Sequence, residues 1–450
     1  MKIVIIGNGI AGTNAARYIR KYSEHEIIMI SNESDFPFSR TALMYVYMGH
    51  LKFDHTKLYE DWFWEKNRIQ RKKGWVSKID PGKKNIHFSD NSSLEYDKLI
   101  IATGSKSNKF GWPGQDLNGV QGLYHLQDLE SMDALSKDIK RAVIVGGGLI
   151  GIEMAEMFHS RHIPVTFLVR ENSFWDNILP LDESEMVNKE IIEHGIDLRL
   201  NEELKEIHAS GSGKVKGITT NKGEYIEAQF VGLTVGVSPN IDFIKESGIE
   251  IKKGILVNQF LATSIQDIYA IGDCAEIITP LPGRKPIEAI WYTGRMMGQT
   301  VAHTICKSPL PYNPGTWFNS AKFFNIEYQV YGDISAKAAD SISSLYWEHS
   351  DAKKSIRINY HKEEKQVTGF NLMGIRYRHE VCEKWIQSKA NIESVLQNLS
   401  LANFDPEFFD EYEQDLIAAY NKISGKKIHL QTKRKLDLVT RFLNKVKSIA

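Results

Sequence analysis

Two glycine loops carry the strongest chemical signal in the sequence. Gly7-Asn-Gly9-Ile-Ala11-Gly12 and Gly146-Gly-Gly148-Leu-Ile150-Gly151 share the spacing G-x-G-x-x-G and stand 139 positions apart. The pyrophosphate of a dinucleotide must be met where no side chain blocks approach. The first glycine allows a tight turn, the second lets the backbone reach the phosphates, and the third lets helix and strand pack closely. A helix opening at that turn adds free N–H groups and about half a positive charge. One such loop is weak; two in matching surroundings point to two dinucleotide sites.

An acidic residue about 20 positions beyond such a loop binds a ribose hydroxyl pair. Glu33 stands 21 residues after Gly12, just past the apolar run Ile27-Ile-Met-Ile, and suits an adenosine with a free 2′-hydroxyl, as in FAD. In the second copy Val169 fills the acid position and Arg170 follows it. Loss of the acid and gain of a cation favours a 2′-phosphate. Glu171 is able to pair with Arg170, so both NADH and NADPH are expected to be accepted, with a lean toward NADPH.

The elements that position these loops repeat as well. Lys2-Ile-Val-Ile-Ile and Ala142-Val-Ile-Val read as short buried strands, each running through its loop into a helical stretch with a small residue, Ala16 or Ala155, four places past the last glycine. Leu99 to Gly104 and Val231 to Gly236 are matching apolar strands that end in glycine. Gly111-Trp-Pro-Gly114 and Pro239-Asn240 mark crossings between the two copies. Ile268 to Asp273 and the helical pattern from Ala289 to Ile305 return to the first copy. Pro309, Pro311 and Pro314 form a linker to an aromatic-rich region of alternating pattern, with helices from about His379. The expectation is an α/β protein with two Rossmann-like dinucleotide-binding domains and a C-terminal α+β domain. The predicted boundaries are 1–112 with 241–312, then 113–240, 313–420, and a basic helical tail over 421–450.

Composition narrows the classes. Of 450 residues, 42% are hydrophobic and 25% charged, the balance of a globular chain. Lys plus Arg (56) equals Asp plus Glu (56), so no global field favours nucleic acid. The tail is the exception, with nine basic residues against one acid. Leu436, Val439, Phe442, Leu443 and Val446 in it have helical apolar spacing, which leaves three roles open: steering an acidic carrier, lying on a membrane surface, or packing on its own domain. Three cysteines support neither a disulfide framework nor a cysteine-rich metal site, and His159 and His162 have no clustered partners, so no metal is expected. A reducing, cytoplasmic setting follows. The first strand begins directly after Met1, so no signal peptide is expected, and Glu153 and Glu156 interrupt the most apolar stretch, Ala142 to Phe158.

The ordered set Gly7 to Gly12, Pro37-Phe-Ser-Arg40 with Leu43, Tyr96 to Gly104, Gly146 to Glu153, Gly236 to Asn240 and Ile268 to Asp273 resembles the pyridine nucleotide-disulfide oxidoreductase superfamily. It is similar in particular to NAD(P)H-dependent rubredoxin and ferredoxin reductases and to the flavin portion of assimilatory nitrite reductase. The resemblance implies further roles. Asp273 would hold a ribityl hydroxyl of FAD, Arg40 would lie near the flavin or its phosphates, and Val76 would meet the adenine through its backbone. Ala102, Thr103 and Gly104 would run beside the cofactor, with Gly236 as their counterpart in the second copy. Glu153 would face the nicotinamide carboxamide and Trp291 would stand beside the flavin. Met44 and Tyr45 replace the lysine often found near the flavin, and neither the paired nor the single redox cysteine of other branches is present; Cys274 reads as a packing residue.

The implied reaction is hydride transfer from NAD(P)H to FAD, then direct electron delivery to a rubredoxin- or ferredoxin-type carrier. Two alternatives stand beside it: a membrane-associated NADH:quinone reductase, whose Ala-Gln pattern is missing near Trp291 to Gly298, and a low-turnover redox sensor. A homodimer is compatible with the sequence.

Overall fold

The structure is a computed structural model describing residues 1–405, 408 and 410–431. The apolar positions of the tail from Leu436 to Val446 lie outside the described residues. By internal contacts the chain forms two units, one of Met1–Asp176 with Val187–Gly315, the other of Asn177–Met186 with Thr316–Ala450.

In chain order, the first unit contains β1 (Lys2–Ile6), α1 (Ile10–Tyr22), β2 (Glu26–Ser31), β3 (Ile69–Lys73), β4 (Lys98–Ile101), β5 (Val120–Gln121), α2 (Leu126–Leu135), β6 (Ala142–Val145), α3 (Leu149–Ser160), β7 (Val165–Val169), β8 (Asp197–Leu200), β9 (Phe230–Leu233), β10 (Ile268–Ala270) and α4 (Trp291–Cys306). Ile3, Val4, Ile5, Ile27 and Ile100 are all fully buried. Such unbroken apolar runs suit strands covered on both faces, as in parallel sheets. Each isoleucine removed from water contributes about 1.5–3 kcal/mol.

Two five-stranded sheets result, ordered β10-β4-β1-β2-β3 and β5-β9-β6-β7-β8. Every pairing within them is parallel. The glycine-loop strand is central in both, and the loop opens a helix at its C-terminal end. Only the origin of one edge strand differs: β10 comes late in the chain, whereas β5 precedes its sheet. Between the sheets, Ser105–Ser107 pairs antiparallel with Val237–Pro239. The outgoing and returning crossings therefore run side by side.

The second unit is built on an antiparallel sheet ordered Phe318–Phe323, Ile326–Gly332, Val367–Met373, Ser355–His361 and Ile342–Glu348. Its helices are His379–Gln387, Ile392–Gln397 and Glu413–Ser424, packed over a core that includes Leu345, Ile358 and Phe370. This is an α+β arrangement. Residues 177–186, expected with the second dinucleotide fold, cluster with this unit instead. Glu183 is fully buried in it, accepting from Arg357 Nε at 2.7 Å and Nη2 at 2.9 Å and from Asn371 Nδ2 at 3.1 Å. A contact between positions 183 and 357 leaves no local mark in a sequence. Among the described residues, no helix is long and apolar enough to cross a membrane.

Candidate functional site

The two loops have nearly the same backbone. Gly7 has φ +115° and Gly146 +114°, and a Cβ at either would press within 2.1 Å of Ala102 O or 2.6 Å of Thr234 O. Gly12 and Gly151 sit against the first glycine of their own loops, where a Cβ would come within 2.1 Å of Gly7 O or 2.3 Å of Gly146 O. The middle glycines differ from these: nothing lies within 4 Å of a Cβ built at Gly9 or Gly148. Both are helix N-caps without a side-chain hydrogen bond. The first-turn N–H groups of α1 and α3 are therefore not capped by the residue before them, and the approach is open to an anion.

A cavity of about 1160 Å³ begins at the first loop. It brings together Gly7, Gly9, Ala11, Glu33, Arg40, Val76, Ala102, Thr103, Gly104, Asp273 and Trp291, and reaches Ile150 and Glu153 on α3. Gly12, Gly146, Gly148, Gly151, Arg170 and Gly236 do not line it. Gly12 lies beneath the first loop, and the others belong to the second loop and its neighbours.

Glu33 and Arg40 meet at one end of the cavity. Glu33 Oε2 accepts from Arg40 Nη2 at 2.7 Å, while Oε1 accepts from Arg40 Nη1 and from the Leu126 amide, both at 2.8 Å. Burial opposes charge on Glu33, but the hydrogen bonds from Arg40 and His125 outweigh it and hold the carboxyl at about 2. Arg40 Nη1, Leu126 and His125 all approach Oε1, whereas Oε2 takes the Arg40 Nη2 donor, which leaves Oε2 an acceptor position for a ribose hydroxyl.

At the other end, burial raises Asp273, and hydrogen bonds from Tyr124 and Ser105 work against that rise. Glu153 is pushed up to about 7, first by burial and then by repulsion from Glu156. Thr103 Oγ1 donates to Asn240 O at 2.8 Å, so its hydroxyl hydrogen is already committed. None of the three cysteines lines the cavity. Cys274 is fully buried, with Sγ 3.3 Å from Ile271 O.

The charges beside the second loop are placed differently. Val169 is fully buried at the end of β7, so that position offers no carboxylate. Arg170 is 70% exposed and pairs with Glu171 at 2.9 Å.

Sequence reasoning missed the segment that enters α2 and the first turn of that helix, where Leu123, Tyr124, His125, Gln127 and Asp128 all line the cavity. One local signal was present. Asp128 Oδ2 accepts from the Tyr124 and His125 amides, each at 2.8 Å, as an acid in the first helical turn does. Nothing local announced that Tyr124 reaches Asp273, 149 positions away.

These residues fit FAD. An uncapped helix N-terminus faces open space, a buried carboxylate keeps one acceptor site, and the cavity exceeds the roughly 300–1000 Å³ of ordinary ligand pockets, as an extended dinucleotide requires. Two parallel dinucleotide folds sharing such a cavity define a class: oxidoreductases that use FAD and NAD(P)H. Residues 1–303 match the pyridine nucleotide-disulphide oxidoreductase family, and the chain belongs to it.

The chain is 28% identical over 415 residues to nitrite reductase [NAD(P)H] of Bacillus subtilis, covering 89% of this chain and 49% of that protein. It is 30% identical over 329 residues to rhodocoxin reductase of Rhodococcus erythropolis, covering 72% of this chain and 76% of that one. The crystal structure of NADH:rubredoxin oxidoreductase from Clostridium acetobutylicum is similar with a TM-score of 0.68 and 26% identity, over 88% of this chain and 98% of that chain. The chain thus spans about half of the first relative and three quarters of the second.

Proposed function

We propose that this protein is an NAD(P)H-dependent flavoprotein reductase that delivers electrons to a small rubredoxin- or ferredoxin-type carrier. The observation that carries the reading is the continuity of one cavity from Glu33 and the first loop to Glu153 and Trp291. Rhodocoxin reductase and NADH:rubredoxin oxidoreductase, among its relatives, are named for such carriers.

Gly9 and the opening turn of α1 would receive the pyrophosphate, Glu33 the adenosine ribose, Val76 the adenine, and Asp273 the ribityl chain. Bound FAD supplies the redox chemistry, accepting a hydride from a nicotinamide and releasing electrons to an acceptor. The second loop, Gly146 to Gly151, would hold the nicotinamide dinucleotide. Glu153 would fix its carboxamide, and near neutrality it is able to serve as either donor or acceptor there. Trp291 lines the cavity beside Ile290 and Gly294 and would help exclude water from the reacting atoms. With no cysteine at the cavity, the protein's own residues offer no thiol relay, so transfer to the carrier would be direct. The three free cysteines suit a reducing compartment such as the cytoplasm.

The test is anaerobic reduction of the purified yellow protein by NADH and by NADPH, followed by mixing with rubredoxin, ferredoxin and a soluble quinone. Fast bleaching and reoxidation by an iron–sulfur or rubredoxin carrier is expected. Reoxidation by quinone alone would overturn the carrier assignment, and slow bleaching by both nucleotides would overturn the enzyme.

A further inference from the structure

We propose that Tyr124 and Ser105 are positioning residues for the flavin, holding the Asp273 carboxylate as the acceptor of a ribityl hydroxyl. This rests on the FAD reading above. The Tyr124 hydroxyl accepts from the Ser105 amide at 2.9 Å and donates to Asp273 Oδ2 at 3.1 Å. Ser105 Oγ donates to the same oxygen at 3.3 Å. Both side-chain donors fall on Oδ2, which leaves Oδ1 for the ribityl chain.

Tyr124 is itself fixed from several sides. The Arg40 guanidinium carbon stands 4.6 Å from its ring centroid, and Arg40 Nη1 donates to the Tyr124 carbonyl. Two neighbouring amides tie the segment down, Leu126 N on Glu33 and His125 N on Asp128, each at 2.8 Å. Gly104 makes room for the phenol, since a Cβ there would stand 2.7 Å from the Tyr124 hydroxyl. The segment leaves β5 of the second sheet, so a residue carried by one dinucleotide fold completes the pocket of the other.

The chemistry suits the task. Asp273 is buried where charge is disfavoured, and donors to its oxygen favour the ionised, accepting form. Burial and the nearby Asp273 raise the Tyr124 phenol above its ordinary value, so it stays a donor across the physiological range. Its single O–H is spent on Asp273, which marks it as acting through that residue.

The test measures FAD affinity by fluorescence titration of the full chain stripped of flavin, for Y124F, S105A, D273N and the two double variants with D273N. Removing one hydrogen bond to a charged group is expected to weaken FAD about 10-fold for Y124F and about 3-fold for S105A. In the D273N background both effects should shrink below about 2-fold, because positioning through a residue shows as non-additivity. The pH below which FAD affinity declines should also move upward in Y124F, since Asp273 then protonates more readily. S105A leaves the tyrosine ring in place and keeps the test readable should Y124F unfold. Unchanged affinity in Y124F and S105A, or equal losses with Asp and Asn at position 273, would overturn the proposal. Wild-type protein that binds no FAD would instead overturn the flavin reading beneath it.

Discussion

The two glycine loops differ by one degree in φ at their first residue, yet the charges beside them are arranged in opposite ways. At the first loop, Glu33 is 9% exposed and locked to Arg40 by two hydrogen bonds. At the second, Arg170 directly after β7 pairs with Glu171; Arg170 is 70% exposed and Glu171 25%. The loop backbone is the same in both; the arrangement of charge beside it is not. A buried, preformed network suits a cofactor that stays, because its polar groups are desolvated once, at folding. A pair whose cation faces water suits a reactant that arrives and leaves with every turnover, because little has to be rebuilt each time.

The comparison breaks most sharply at the glycines. Gly7→Val places a side chain against Ala102 O at a φ that favours glycine, and should yield colourless or unfolded protein. Gly146→Val makes the same clash with Thr234 O, but away from the cavity at the first loop. It should give yellow protein whose reduction by NAD(P)H is slowed more than about 100-fold in kcat/KM, near 2.7 kcal/mol. Absorbance at purification and anaerobic stopped-flow separate the two outcomes. A colourless Gly146→Val protein that is nonetheless folded would dissolve the distinction between the loops.

The next effect lies in the buried pair. Arg40→Met strands a desolvated carboxylate and should cost about 1–3 kcal/mol in urea unfolding, less than a wholly enclosed pair because Arg40 is 30% exposed. Glu33 falls from 4.5 to about 2 on folding, so its stabilising contribution is complete above pH 4.5 and is lost as pH falls toward 2. That acid-side loss should be smaller in Arg40→Met. Arg170→Met, by contrast, should change stability by less than about 0.5 kcal/mol, as for most exposed charges.

What was legible in advance follows the same division. The loops, the strands feeding them and the acid at Glu33 are local patterns, in which a few consecutive residues and a spacing of about 20 suffice. Arg40, Asp273, Glu153 and Trp291 came only through family likeness, because an isolated charged or aromatic residue has no pattern of its own. Tyr124 and the burial of Glu183 against Arg357 came through neither. Each depends on side chains more than 100 positions apart, and a sequence records such a meeting only in the finished fold.

Glu153 sharpens the comparison between two acids. Glu33 is charged at every working pH, whereas Glu153 titrates at about 7. Because its folded value is raised, the folded state holds the proton more tightly between pH 4.5 and 7, and stability falls as pH rises through that window. Glu153→Gln should therefore gain about 1–3 kcal/mol over wild type at pH 8 in the flavin-free protein. It should also remove the change in flavin reduction rate near pH 7, measured by stopped-flow across a pH series. A rate profile that keeps its inflection in the Gln variant would assign the titration to another group.

The smallest effect concerns the choice between NADH and NADPH. Arg170 directly follows β7, but its charge is shared with Glu171 at 2.9 Å and faces water. Exposed pairs contribute about 0–1 kcal/mol, so the arginine discriminates weakly while that partner holds it. Glu171→Gln frees the guanidinium and should raise the NADPH-to-NADH ratio of kcat/KM by about 3- to 10-fold, which corresponds to about 0.7–1.4 kcal/mol. Arg170→Ala should lower the same ratio by less than about 10-fold. If Glu171→Gln moved the ratio toward NADH, Arg170 would not be the group that reads the 2′ position, and the second site would have to recognise its sugar through the backbone alone.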